Sequence, residues 1–222
     1  MPSTVVHAGV ALLLAAGLLR GAYDRRVLAL LLVVVALPEA DALLGPVVDG
    51  AHRTVLHTLT IPLLVGVWLY WDTRLRDPDD SWLRGRWGGR GVRVAWVVLF
   101  VHVFAHLLLD YAHLEGINAL YPAIDRFVRL EGELLLSTAD GLVQTFVEFG
   151  TDPETGEQVI DAGAVGTTED THVANPVELS EDPDSDDPIL LPIAENGWEL
   201  YLVLTGVFVV IARRFQDRRE EP

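Results

Sequence analysis

Apolar residues fall into five blocks along the chain, at 4–19, 27–37 with an extension towards 44, 54–71, 92–111 and 198–211. A membrane-crossing helix needs about 20 mostly apolar residues, so the pattern predicts five crossings: an all-α, polytopic membrane helix bundle. The second block is the shortest, and Pro38 is expected to end it because proline cannot continue a helix. A secretory leader is the competing reading of the first block, but a charged start and a small-residue cleavage site are missing. Trp68, Tyr70, Trp71, Trp198 and Tyr201 stand at block ends, where amphipathic rings prefer the headgroup region.

The polar stretches between the blocks predict an orientation. Arg20, Arg25 and Arg26 follow the first block, six Arg lie between 74 and 93, and Arg213, Arg214, Arg218 and Arg219 follow the last. Cytoplasmic loops are enriched in Arg and Lys, which gives a multi-pass cell-membrane protein with its N-terminus outside and its C-terminus in the cytoplasm. The long stretch 112–197 holds 19 Asp and Glu against two Arg, as an outward segment should. Three units follow: a bundle over 1–122, an acidic extracytoplasmic and partly disordered segment over 123–197, and a last helix with an Arg-rich tail over 198–222. Within the acidic segment, 143–149 and 158–160 suit a hairpin, because 151–157 between them carries Asp152-Pro153 and Thr155-Gly156 turn chemistry. The acidic, Pro- and Ser-containing stretch 167–187 reads as loosely ordered.

Composition sharpens this picture. Half of the residues are hydrophobic, yet the net charge is -16, so the two classes must be segregated. All 16 basic residues are Arg. An acidic, Lys-free chain points to a halophilic archaeal proteome, where surface carboxylates keep proteins hydrated in high salt. A nucleic-acid partner is not expected, since phosphate binding needs clustered positive charge; the expected surroundings are a lipid bilayer, with any protein partner unknown. Cys is absent, which excludes disulfides, thiolate metal sites and a Cys nucleophile.

The ionisable residues then fall into place. His7 sits near the outer end of the first block, Glu39 and Asp41 at the outer end of the second, and Asp49 in the same loop. His52 and His57 stand at the start of the third block, and His106 and Asp110 at the end of the fourth. Four blocks thus bring a His or a carboxylate to one face. His102, His106 and Asp110 are spaced i, i+4, i+8 along one helix face. His106 and Asp110 are about 6 Å apart in rise and can share an ion, whereas His102 is about 12 Å from Asp110. His52 and His57 are about 140° apart on a regular helix, so both reach one centre only if His52 belongs to the entering loop. Imidazole and carboxylate without thiolate suit Zn²⁺, with Mn²⁺ or Fe²⁺ as alternatives. Ionisable groups at membrane depth are costly, which makes them functional candidates.

In order along the chain, His7-Ala8-Gly9, Pro38-Glu39-Ala40-Asp41, the run from His52 and Arg53 to His57 and Thr58, His106 with Asp110, Gly116 and Tyr121-Pro122 together resemble the membrane-bound metal-dependent hydrolases, also called the LexA-binding, inner-membrane-associated hydrolases. The resemblance covers roughly residues 1–122. It implies a small helical membrane protein with His7, Asp41, His52, His57, His106 and Asp110 as candidate metal ligands. Glu39 stands where the family has Asp, and Thr54 and Leu56 replace an expected Gly and Thr.

On that reading a metal-activated water attacks a phosphoester or lipid-like small molecule at the outer membrane interface. Glu39 or Asp49 serves as general base, and Arg53 neutralises a phosphate or a developing oxyanion. The rival reading is a non-enzymatic membrane protein with a structural or ion-capturing metal site.

Overall fold

A computed structural model describes residues 2–44, 52–113, 115–138, 141–151, 158–161, 163–168, 171 and 193–220. Asp49 and most of 167–187 lie outside the described residues. Helix α1 (Thr4–Leu18) begins at Ser3, whose hydroxyl accepts from the Val6 amide. Asp24 caps α2 (Arg25–Ala36), accepting from the Arg26 and Val27 amides. Pro38 ends α2 as expected, and the chain tightens into a 3-10 turn over Pro38–Leu44. Helix α3 spans Thr60–Tyr70 and opens into a π turn at Trp71–Leu75.

Helix α4 (Trp82–His102) continues through a π turn, Val103–Leu107, into α5 (Leu108–Tyr111). Its start is held from the preceding turn by Asp72, which is buried and accepts from the amides of Trp82 and Leu83 and from the Ser81 hydroxyl. The rod is kinked at Gly88, whose φ of 65° is a left-handed value that other residues adopt only under strain. Ala11, Ala15 and Leu19 of α1, Leu31 and Val35 of α2, and Val97, Val101 and Ala105 along the α4 rod form the buried core. Alanines on α1 let its neighbours approach closely.

Helix α6 (Gly197–Glu220) packs along α1. The two backbones nearly touch: a Cβ added at Gly206 would stand 2.4 Å from the Gly9 carbonyl oxygen, and one at Gly9 would stand 2.9 Å from the Val203 Cα. Small residues at such crossings permit close packing that any side chain would block.

The expected all-α, five-crossing bundle is not what the chain forms. Six short strands follow α5, as three antiparallel two-stranded sheets: β1 (Phe127–Val128) with β6 (Ala164–Gly166), β2 (Leu134–Ser137) with β3 (Gly141–Gln144), and β4 (Glu148–Thr151) with β5 (Gln158–Asp161). The last pair meets the expected 143–149 and 158–160 hairpin in part: Phe149 lies opposite Ile160, but Val143 and Gln144 pair with β2. The apolar run at 134–136 and both ends of 142–149 thus lie in strands, with 145–147 between β3 and β4 outside them. Among the described residues one helix, the 30-residue rod Trp82–Tyr111, is long and apolar enough to cross a membrane.

Hydropathy overstated the others because it counts composition and not backbone. Helix α1 has 15 residues, α2 has 12 and α3 has 11, which at about 1.5 Å per residue falls short of a hydrocarbon core of about 30 Å. The third block loses its first six residues to irregular chain. In α6, Glu199 near the start and four Arg towards the end leave a short apolar middle. Without five crossings, the expected outward N-terminus and cytoplasmic C-terminus lose their basis.

Candidate metal centre

The elements meet at one buried cluster. Helix α1 brings His7, the 3-10 turn after α2 brings Glu39 and Asp41, the irregular segment before α3 brings His52, Arg53 and His57, and the end of the α4 rod brings His106 and Asp110. His106 lies in the π turn, a wide helical turn that recurs at functional sites. Residues 52–59 leave helical geometry, with φ of 61° at Arg53, and that departure frees His52 and His57 from helical spacing. The Thr58 hydroxyl anchors the segment on the carbonyls of Ala119 and Tyr121.

His7, His52 and His57 are oriented by their Nδ1 atoms, whereas His106 Nδ1 is buried without a partner among the described residues. His7 Nδ1 lies 2.9 Å from the Ala105 carbonyl. A carbonyl only accepts, so this nitrogen carries a proton and Nε2 faces the centre. Asp41 sits between two imidazoles, 2.9 Å from His52 Nδ1 and 2.8 Å from His57 Nδ1. Burial opposes ionisation of Asp41, but the hydrogen bonds from His52 and His57 win and hold its pKa below the usual carboxylate value. His57 Nε2 is thereby left as an acceptor.

The inward-facing atoms converge. His57 Nε2 lies 3.0 Å from His106 Nε2 and 3.5 Å from Asp110 Oδ2, which is itself 3.3 Å from His106 Nε2. His7 stacks on His106 at 4.1 Å between ring centroids, and its Nε2 is 3.5 Å from Asp110 Oδ1 and 3.9 Å from Glu39 Oε1. His57, His106 and Asp110 form one potential ligand set, and His7, Glu39 and His106 a second. Among the described residues, His7 Nε2 and Asp110 Oδ2 have no hydrogen-bond donor. Buried acceptors facing one another are unfavourable unless a cation or protons lie between them.

Spacing supports a cation. Donors about 2.0–2.1 Å from a tetrahedral zinc stand about 3.4 Å from each other, close to the separations seen here. The residues present therefore fit a divalent ion.

Two residues occupy places that sequence spacing did not reveal. Asp41, expected as a ligand, has both oxygens turned to Nδ1 atoms and stands behind His57. Arg53 is fully buried and donates to Asp110 Oδ1 at 3.0 Å and to the Gly116 carbonyl at 3.0 Å. Glycine is required at 116: its φ is 67°, and a Cβ there would lie 2.3 Å from the Val128 carbonyl oxygen. His52 Nε2 is buried without a partner among the described residues, and His102 lies one turn along the rod, 6.3 Å from His106 between ring centroids. The odd placement of Arg53 between two histidines was the available signal for its role.

The α4 rod is long and apolar enough to cross a bilayer and carries a buried His and carboxylate cluster at one end. Residues 1–166, about three quarters of the chain, match the family described as YdjM inner membrane protein. The chain belongs to that family, and a cell-membrane location and a bilayer environment follow. The family description names no reaction. No curated protein and no solved structure matches the chain.

Proposed function

We propose that the chain is a membrane-bound metal-dependent hydrolase acting on a phosphoester or lipid-like substrate at the membrane interface. The supporting observation is that His57, His106 and Asp110 turn one buried nitrogen or oxygen each to within 3.5 Å of one another, beside a second set of His7, Glu39 and His106. His57, His106 and Asp110 would hold the ion, with His7 and Glu39 forming a second set around His106. A divalent ion, zinc before manganese or iron for this ligand chemistry, supplies Lewis acidity and acidifies water towards a pKa of about 7.

Glu39 stands at the rim, its side chain 19% exposed, where it can take a proton from an entering water or complete the ligand set. Asp41 fixes the His57 tautomer through Nδ1, so that Nε2 faces inward. Arg53 aims Asp110 by donating to its Oδ1. In the hydrolysis, the water oxygen forms a bond to phosphorus and the P–O bond to the leaving alcohol breaks. One water proton passes to Glu39 and then to the alkoxide oxygen, so no oxidant or reductant is needed.

Metal content of the detergent-purified protein, measured by plasma mass spectrometry beside the His57→Ala/Asp110→Ala double variant, tests the reading. Stoichiometric zinc, manganese or iron that disappears in the variant is expected. A wild-type protein purified without chelators that carries and takes up none of these metals sinks it.

A further inference from the structure

An apolar groove of about 900 Å³ lies between α2, α3 and α4. Leu30 and Val34 form its first wall, Val65 its second, and Val94, Ala95 and Val98 its third. At one end each wall runs directly into the candidate metal centre. Leu37 precedes Glu39 by two residues, Ile61 follows His57 by four, and His102 precedes His106 by four. His102 is the polar side chain at that end, its ring nearly parallel to that of His106.

The other end carries Arg26, Arg90 and Asp24 beside Trp82 and Trp87. Asp24 is already engaged by Arg90 and by two α2 amides, which leaves a net positive rim. Between the two ends, α4 rises about 16 Å from Gly91 to His102. That is close to one leaflet of a hydrocarbon core about 30 Å thick.

A groove one leaflet deep, apolar along its length and ending at His102, one turn from the polar centre, matches an amphiphile with a single extended chain. We propose that it binds the acyl or alkyl chain of the substrate, with the chain pointing to the Arg26 and Arg90 end and the hydrolysable head group at the His106 and Asp110 centre. The head-group placement rests on the hydrolase reading; occupancy of the groove by a chain does not.

The test uses long-chain alkyl phosphates bearing a diazirine either beside the phosphate or at the chain terminus, irradiated with the full-length protein in phosphatidylcholine vesicles. Peptide mapping is expected to place the terminal probe on α2 near Val27 and on α4 near Val94, and the head probe near His57 or Leu108–Tyr111. Val65→Trp and, separately, Ala95→Trp should fill the groove, and Val67→Trp, on the exposed side of α3, should not. Each two methylenes kept out lower affinity about tenfold, so labelling in both groove variants should fall at least tenfold with metal content unchanged. Equal labelling of the groove and of the Val67 side, or a groove-filling variant labelled like wild type, overturns the proposal. So does a head probe found at Arg26 or Arg90. Groove labelling in a protein that holds no metal would refute the hydrolase reading alone and leave the chain site standing; bound metal without groove labelling would do the reverse.

Discussion

Replacing Asp41 by Asn separates an orienting carboxylate from a ligand. The wild-type carboxylate accepts from His52 Nδ1 and His57 Nδ1 at 2.9 and 2.8 Å, and Asp41 is fully buried. An amide of the same shape has one accepting oxygen, so its NH₂ must face the other imidazole. That imidazole then needs a lone pair at Nδ1 and moves its proton to Nε2, the atom that faces the centre when the residue is His57. Loss of such an outer partner weakens metal binding by about 10–100-fold, or about 1.4–2.8 kcal/mol. Asp41→Ala frees both imidazoles and is expected to weaken binding at least as much.

Competition with a chromogenic zinc chelator on the detergent-solubilised protein reads this directly. His57→Ala serves as the reference for a lost ligand, and thermal unfolding confirms that each variant is folded. Zinc affinity unchanged in both Asp41 variants, alongside loss in His57→Ala, would refute the orienting role.

Three further outcomes follow from the same packing. Arg53→Met leaves Asp110 buried without its guanidinium and should cost about 3–5 kcal/mol of stability in metal-free protein; thermal unfolding with and without zinc should show the metal restoring part of it. Gly206→Val drives a side chain into the Gly9 carbonyl and should destabilise by about 1–3 kcal/mol, measured by unfolding in detergent, with metal content falling as α1 shifts. Burial of Asp72 opposes its ionisation, but amides of Leu83 and Trp82, the Ser81 hydroxyl and Arg76 hold its pKa below the ordinary value. Its stabilisation is therefore complete above the unfolded value of about 3.9 and fades as pH falls through the lower folded value, so the melting-temperature gap to Asp72→Asn should stay level above about pH 5 and shrink only in stronger acid.

The site was more legible in the sequence than the fold. His7, Glu39, His57, His106 and Asp110 could be gathered because each stands at the same end of an apolar block, and block ends survive errors in block length. The Asp41 bridge and the Arg53 to Asp110 pair were hidden because they depend on the path of residues 52–59. A positive φ at Arg53 and the Thr58 anchor set that path, and neither leaves a periodic trace.

The five-crossing bundle failed for a related reason. Thr54, Val55 and Leu56 count as membrane residues by composition, yet the backbone there serves the histidines. Leu134–Ser137 and Gly141–Gln144 are apolar enough for a membrane surface, but they satisfy their backbone groups by pairing with each other.

The Gly9 to Gly206 contact also gives assembly of the site an order in time. His7 rides on α1 two residues from that contact, and its crossing partner is 197 residues further along the chain. At about 5–20 residues per second, a ribosome needs about 10–40 s to deliver it. During that interval α1 has α2 and, once made, the α4 rod to lean on, and the side that takes α6 is bare. The helix that carries the first histidine made thus gains its last neighbour only when the final helix arrives.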